Sequence, residues 1–171
     1  PAARSPVERF LDGSFLITID DTLFSEKGKD RAKVKQLLFC TGKIYYELDQ
    51  RRKELGREDI AIVRIEQLYP FPEQEIREII ASYPDAKDII WVQEEPRNMG
   101  AFRFMQCTMT DLMNIHIQDI CRDESATPAV GSSKIHAKEQ ERILTAAIGP
   151  KPNEETTSAP GKGRSGRAAK S

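Results

Sequence analysis

Polar side chains follow three predicted buried strands at the points where those strands end. Thr41-Gly42-Lys43 comes after the first strand, Glu66-Gln67 after the second, and the block QEEPRN (93–98) after the third. In an open parallel sheet, the carboxyl ends of the strands form the crevice where ligands or partner surfaces bind. We therefore expect four charged strand-end side chains to share one surface of the protein: Glu66, Glu94, Glu95 and Arg97.

Carboxylates at such an edge can act as general acids or bases. The alternative that we favour is structural: Glu66, Glu94 and Glu95 bond backbone amides of the adjoining turns and meet another domain. Lys43 lies at the head of a predicted helix, where an anion could bind. A solvent-exposed lysine is the simpler interpretation of that position.

Histidines and cysteines give no sign of a catalytic or metal centre. His116 and His136 are the only histidines, and neither has further ligands at a metal-binding spacing. Cys40, Cys107 and Cys121 form an odd set without a CxxC motif, so neither a zinc site nor a disulfide framework is indicated. We predict that this chain holds no catalytic and no metal-binding residue.

Strands and helices alternate through the middle of the chain. Apolar runs predict strands at Val34–Cys40, Ile60–Ile65 and Ile89–Val92, with a short fourth strand at Ile115 and Ile117. Helices are predicted between the strands, and a last one begins after Ser133 as N-cap. This alternation predicts an α/β fold with three layers: a mainly parallel sheet with helices on both faces.

The composition predicts three regions. Residues 1–33 read as an extended connector from a missing upstream domain, residues 34–149 as the α/β domain, and residues 150–171 as a disordered basic tail. That tail has no Leu, Ile, Val or aromatic residue, and it carries five basic groups against two acidic ones. Because the chain begins at Pro1 without a methionine, we expect it to be a piece of a longer protein.

Charge and hydropathy exclude several classes of partner. The 26 basic and 27 acidic residues nearly balance, so no general attraction to nucleic acid is expected. Apolar runs such as 60–63 are far shorter than the roughly 18 residues that span a bilayer, so no membrane partner is expected. Unpaired cysteines favour a reducing, cytoplasmic location.

Four blocks in the same order and spacing resemble a known family. LLFCTGKIYYEL, IAIVRIEQLYPFP, IIWVQEEPRNMGAFRF and SATPAVGSSKIHAKEQ are similar to the C-terminal domain of the decarboxylating subunit of 2-oxoglutarate dehydrogenase, over about residues 6–149. The resemblance implies a transketolase C-terminal fold. It also implies that the full-length enzyme uses thiamine diphosphate and magnesium to decarboxylate 2-oxoglutarate, and passes the succinyl group to a lipoyl acyltransferase.

The resemblance also implies which parts of that enzyme lie elsewhere. The implied partners are the upstream domains of the same subunit, a homodimer mate and the acyltransferase subunit. None of the family's thiamine-binding or catalytic motifs falls within these 171 residues. We therefore expect this chain alone to bind no cofactor and to be catalytically inactive.

Some relatives bind a nucleotide-type effector, such as acetyl-CoA, near a basic position that Arg122 occupies here. The resemblance makes Arg122 the candidate effector residue, and Lys43 and Gln93 are the other two candidates. The family pattern Gly-Arg-Pro or Arg-Arg is replaced by Cys-Arg-Asp-Glu at 121–124, and the added acids oppose a polyphosphate. Two alternatives remain open: a freestanding effector-binding or dimerisation module, and the equivalent domain of a 2-oxoadipate dehydrogenase.

Overall fold

Four parallel strands and one antiparallel strand form the central sheet. The computed structural model describes residues 17–19, as backbone only, and residues 31–151. The strands are β1 (Ile17–Ile19), β2 (Gln36–Cys40), β3 (Ile60–Ile65), β4 (Asp88–Pro96) and β5 (Gln118–Arg122). The helices are α1 (Ile44–Glu54), α2 (Glu73–Ala81), α3 (Phe102–Met113) and α4 (Ser133–Ala147). A 3-10 turn at Arg31–Lys33 precedes β2.

The strand order is β1-β3-β2-β4-β5, which places the two most apolar strands at the centre. β2 pairs in parallel with both β3 and β4, so Leu38 lies between Ile62 and Ile90. A strand that is covered on both faces has no solvated side, and this explains the unbroken apolar runs of β2 and β3. The predicted mainly parallel sheet is confirmed.

Alternate residues of β2, β3 and β4 enter two separate cores. Phe39, Val63 and Trp91 pack under α2 and α3 on one face. Leu38 and Ile62 pack under α1 and α4 on the other. The sheet therefore lies between two helical layers, which confirms the predicted three-layer α/β fold.

The start of the last helix differs from the prediction by one residue. Ser132, with an extended backbone (φ −134°, ψ 127°), is the N-cap, and Ser133 is the first helical residue. Ser132 makes no capping hydrogen bond through its side chain. The helix starts there because Ser132 O accepts the backbone N–H of His136, the first hydrogen bond of the helix.

The predicted fourth strand at Ile115 and Ile117 is wrong. The strand in this region is β5, which begins at Gln118. α3 ends at Met113, and its C-cap Asn114 is in the left-handed conformation (φ 54°). The chain then passes Ile115 and Ile117 before it pairs with β4. Ile117 is buried in the core although it belongs to no strand, so its apolar character reflects packing rather than sheet pairing.

β1 lies within the stretch predicted to be a connector. Its three residues pair antiparallel with β3, with Ile17 opposite Ile65 and Ile19 opposite Val63. Most of the predicted connector and nearly all of the predicted tail lie outside the described residues, so the three-region division stays a prediction. Within the part of the chain that the structure describes, no helix is long and apolar enough to cross a membrane.

Candidate functional site at the carboxyl edge of the sheet

An ion pair joins the carboxyl ends of the neighbouring strands β2 and β4. Lys43 Nζ lies 2.9 Å from Glu94 Oε1. Lys43 follows the turn at Gly42, whose positive φ of 73° suits glycine, and Glu94 continues β4. The hydrogen bond and the charge of Glu94 raise the pKa of Lys43. Lys43 is therefore protonated at neutral pH, and Glu94 already balances its charge.

Arg64 and Glu66 form a second pair where β3 ends. The Arg64 guanidinium also lies over the rings of Tyr45 and Tyr46, 5.6 and 5.0 Å from their centroids, and donates a 2.9 Å hydrogen bond to the Tyr46 hydroxyl. Cation–π contacts of this kind fix the guanidinium in place. Glu66 and Glu94 thus each pair with a cationic side chain, and their expected bonds to backbone amides stay a prediction.

Gln93 is the hydrogen-bonding centre of the loop that follows β4. Its Oε1 accepts hydrogen bonds from Trp91 Nε1 and Phe102 N, both at 2.9 Å. Its Nε2 donates to the carbonyls of Pro96 and Met99, at 3.1 and 2.8 Å. The side chain is 1% exposed, and its donors and acceptors all have partners within the protein. The geometry gives Gln93 a structural role, whereas the sequence made it a candidate effector contact.

The same loop is joined to the segment after β5. Asn98 Nδ2 donates to Ser125 O at 3.0 Å, and Ser125 N donates to Asn98 Oδ1 at 3.1 Å. Arg97 N donates to Arg122 O at 3.0 Å. The loop also needs Gly100, whose φ is +67° and whose Cβ, if present, would lie 2.9 Å from Gln93 Nε2. These contacts hold the two loops as one unit.

Arg122 borders an open cavity of about 490 Å³ at the end of β5. Three arginine–carboxylate pairs surround it: Arg97 with Asp119 at 2.8 Å, Arg122 with Glu139 at 2.7 Å, and Arg142 with Asp123 at 2.9 Å. Arg122 is 7% exposed and also donates to Pro128 O at 2.9 Å. Of the three candidate effector residues, only Arg122 lines this cavity, since Lys43 and Gln93 lie elsewhere on the edge.

The pairing of Arg97 with Asp119 and of Arg142 with Asp123 was not foreseen from the sequence. Arg97 and Asp119 are 22 residues apart, and Arg142 and Asp123 are 19 apart. No motif or periodicity connects such positions. The fold brings them together because β5 lies beside β4 and α4 packs back across the end of β5.

Two of the three cysteines are buried or half-buried near this edge. Burial raises the pKa of Cys40 to about 12. Burial, together with the charge of Asp119, raises the pKa of Cys121 to about 12. Both thiols are therefore protonated at neutral pH, and a protonated thiol is a poor nucleophile. All three cysteines are free, and Cys107 is exposed.

The described residues do not fit the magnesium ion that the resemblance implies for the full-length enzyme. No group of three or more His, Cys, Asp or Glu side chains within residues 31–151 is arranged to hold a metal ion. Glu66 and Glu94 are each occupied by a cationic partner, and both histidines are exposed and belong to no such group. At this edge the charges of Lys43 and Glu94 balance each other, and so do those of Arg64 and Glu66.

Comparison with known proteins gives a consistent family. The family model for the 2-oxoglutarate dehydrogenase C-terminal region matches residues 4–148. The 2-oxoglutarate dehydrogenase E1 component of Azotobacter vinelandii is 46% identical over 124 residues, which are 70% of this chain and 13% of that protein. The corresponding component of Geobacillus kaustophilus (strain HTA426) is 40% identical over 151 residues, 86% of this chain and 16% of that protein.

A third relative is a longer, multifunctional protein. The multifunctional 2-oxoglutarate metabolism enzyme of Mycobacterium sp. (strain KMS) is 40% identical over 152 residues, 87% of this chain and 12% of that protein. The chain thus spans between 12% and 16% of the length of these relatives. Since the family model covers most of its residues, the chain belongs to the 2-oxoglutarate dehydrogenase C-terminal family.

Proposed function

We propose that this chain acts as the structural and assembly domain at the C-terminus of the decarboxylating (E1) subunit of 2-oxoglutarate dehydrogenase. The match of the family model to residues 4–148 is the observation that carries the proposal. The relatives' names and the small share of their length that the chain spans support it.

The chemistry of such a subunit is assigned to residues outside this chain. The whole enzyme decarboxylates 2-oxoglutarate with thiamine diphosphate and magnesium and passes the succinyl group to a lipoyl acyltransferase. Its partners are the upstream domains, a homodimer mate and the acyltransferase subunit, in the cytoplasm. At the described edge Glu94 pairs with Lys43 and Glu66 pairs with Arg64, which supports a structural role for these two carboxylates.

The carboxyl edge is the surface that we assign to domain packing. Glu95 is exposed, and the Arg97 side chain is half-exposed, so both can meet a neighbouring domain. Gln93 and the Asn98–Ser125 pair hold the loop that carries them. A loop that is already ordered loses little entropy when it binds, which suits a permanent interface.

A chimera tests this role directly. The C-terminal region of the Azotobacter vinelandii E1 component is replaced by this chain, and decarboxylation and sedimentation are measured. We expect an active assembled enzyme, and we expect the charge reversal Glu95→Lys/Arg97→Glu to weaken assembly. The matched control reverses the exposed pair Lys33 and Glu58, which lies at the opposite edge of the sheet and is 3.0 Å apart.

The separate outcomes distinguish the alternatives. Turnover by the 171-residue chain alone, with thiamine diphosphate and magnesium, would show that the chemistry is not elsewhere. A chimera that stays unassembled while the isolated chain folds as a stable dimer would favour a freestanding dimerisation module. Turnover of 2-oxoadipate in preference to 2-oxoglutarate by the natural full-length protein would favour the other dehydrogenase.

The cavity beside Arg122 supports a second candidate function, the binding of an anionic effector such as acetyl-CoA. Three arginines border the cavity and each is paired with a carboxylate, which for Arg142 is Asp123. An anion must compete with that carboxylate, so Asp123→Asn should tighten the binding of acetyl-CoA measured by titration calorimetry. The absence of binding in both the original and the Asp123→Asn chain would refute this function.

A further inference from the structure

The rings of Phe71 and Phe104 touch where α2 and α3 begin, and the exposed Tyr69 lies two residues before Phe71 in the chain. We call Tyr69, Phe71 and Phe104 the aromatic patch. Tyr69 is 85% exposed and Phe104 is 41% exposed, while the Phe71 and Phe104 rings make an edge-to-face contact with centroids 6.4 Å apart. Single exposed apolar residues are ordinary, but adjacent large ones mark a surface that is covered by something else.

The direction of β1 shows which part of the chain lies near this patch. Because β1 is antiparallel to β3, its first residue Ile17 is paired with Ile65, the last residue of β3. The amino end of β1 therefore lies at the same edge of the sheet as the carboxyl end of β3. From that edge the chain passes through 66–70 to Phe71 and the patch.

The segment that precedes β1 carries the side chains such a patch needs. Residues 10–16 read FLDGSFL, with two phenylalanines and two leucines. A fully extended chain covers at most about 3.6 Å per residue, so these seven residues reach up to about 25 Å. Phe71 is six residues beyond Ile65 and lies within about 22 Å of it by the same limit. The two lengths are compatible.

We propose that Phe10, Leu11, Phe15 and Leu16 of the N-terminal segment pack on the aromatic patch. β1 tethers this segment next to the patch, so its effective concentration there is far higher than that of a free partner. These contacts lie within the chain and do not depend on the proposed function.

Photo-crosslinking in the 171-residue chain tests the proposal. p-Benzoylphenylalanine is placed at Phe104 and, as the matched control, at Leu112, which is 49% exposed near the other end of α3. We expect intrachain crosslinks from Phe104 to the tryptic peptide 10–27, localised to residues 10–16 by fragmentation. The yield should exceed that from Leu112 by at least about tenfold, because the segment is tethered beside Phe104.

A second variant keeps the test decisive. Phe15→Ser/Leu16→Ser should remove most of the Phe104 crosslink, whereas Phe24→Ser, which lies on the other side of β1 in the chain, should leave it. Circular dichroism verifies that each variant is folded. Crosslinks between two chains would assign the patch to a second copy, and yields equal to those at Leu112 would show an uncovered patch; either result overturns the proposal.

Discussion

Replacement of Gln93 by leucine should destabilise the domain well beyond an ordinary surface change. Leucine keeps much of the volume but removes both acceptors and donors of the amide. Trp91 Nε1 and Phe102 N then lose their 2.9 Å hydrogen bonds in a region from which water is excluded. A buried donor left unpaired costs about 1–3 kcal/mol, so the two donors together lower the free energy of unfolding by about 2–6 kcal/mol.

Thermal and urea unfolding measure this loss, and the protein carries its own probe. Trp91 is the only tryptophan, and its indole N–H is one of the two orphaned donors, so its fluorescence reports both the local change and global unfolding. At about 2–4 °C per kcal/mol for a chain of this size, Tm should fall by at least about 4 °C. Gln74→Leu, at an exposed glutamine, is the control and should change stability by less than about 0.5 kcal/mol. Equal stability of the two variants would refute the assigned role of Gln93.

Three further results are expected. Gly56→Ala should lower the free energy of unfolding in urea by about 1–2 kcal/mol, because of its positive φ alone. Gly100→Ala should lower it further, because its methyl group also meets the Gln93 amide. Equal losses in the two variants would contradict that close approach. Arg51 is buried and pairs with Glu141, and its hydrogen bond lowers the pKa of that carboxyl in the folded state. The stability that this pair contributes is therefore present above about pH 4.5 and is lost as the pH falls further. Glu141→Gln should therefore flatten the acid side of a urea-midpoint profile, and an unchanged profile would show that the pair is not responsible. Thiol labelling at pH 8 should modify exposed Cys107 and spare Cys40, whose pKa of about 12 reflects burial, until urea unfolds the chain; early labelling of Cys40 would contradict that burial.

The strands that the sequence identifies most directly are those covered on both faces. β2 and β3 are covered on both faces and paired on both sides, so their apolar runs alone identify them. β5 pairs only with β4 among the described strands and contains Asp119 and Arg122, so its own residues do not mark it as a strand. Its register is fixed by β4, with Gln118 opposite Ile90. The residues of β5 alone therefore do not reveal its pairing with β4.

The candidate site shows the same limit. The sequence indicated that Lys43 and Glu94 would lie at one edge, since both follow parallel strands, and the structure joins them. It did not indicate that Gln93 points into the protein, because a polar residue at a strand end is usually solvated. Nor did the sequence indicate the carboxylate partners of Arg97 and Arg142. These pairs form only when β5 lies beside β4 and α4 packs on β5.

β1 has a consequence for solubility during folding and handling. Its three residues cover the outer edge of β3, whose backbone donors and acceptors would otherwise face solvent along Val63–Ile65. An apolar strand with an open edge is a template for pairing with another chain, and therefore for aggregation. Any fragment that starts after residue 19 loses this cover. Preparations that retain Ile17–Ile19 should stay dispersed at concentrations where shorter ones form intermolecular sheet.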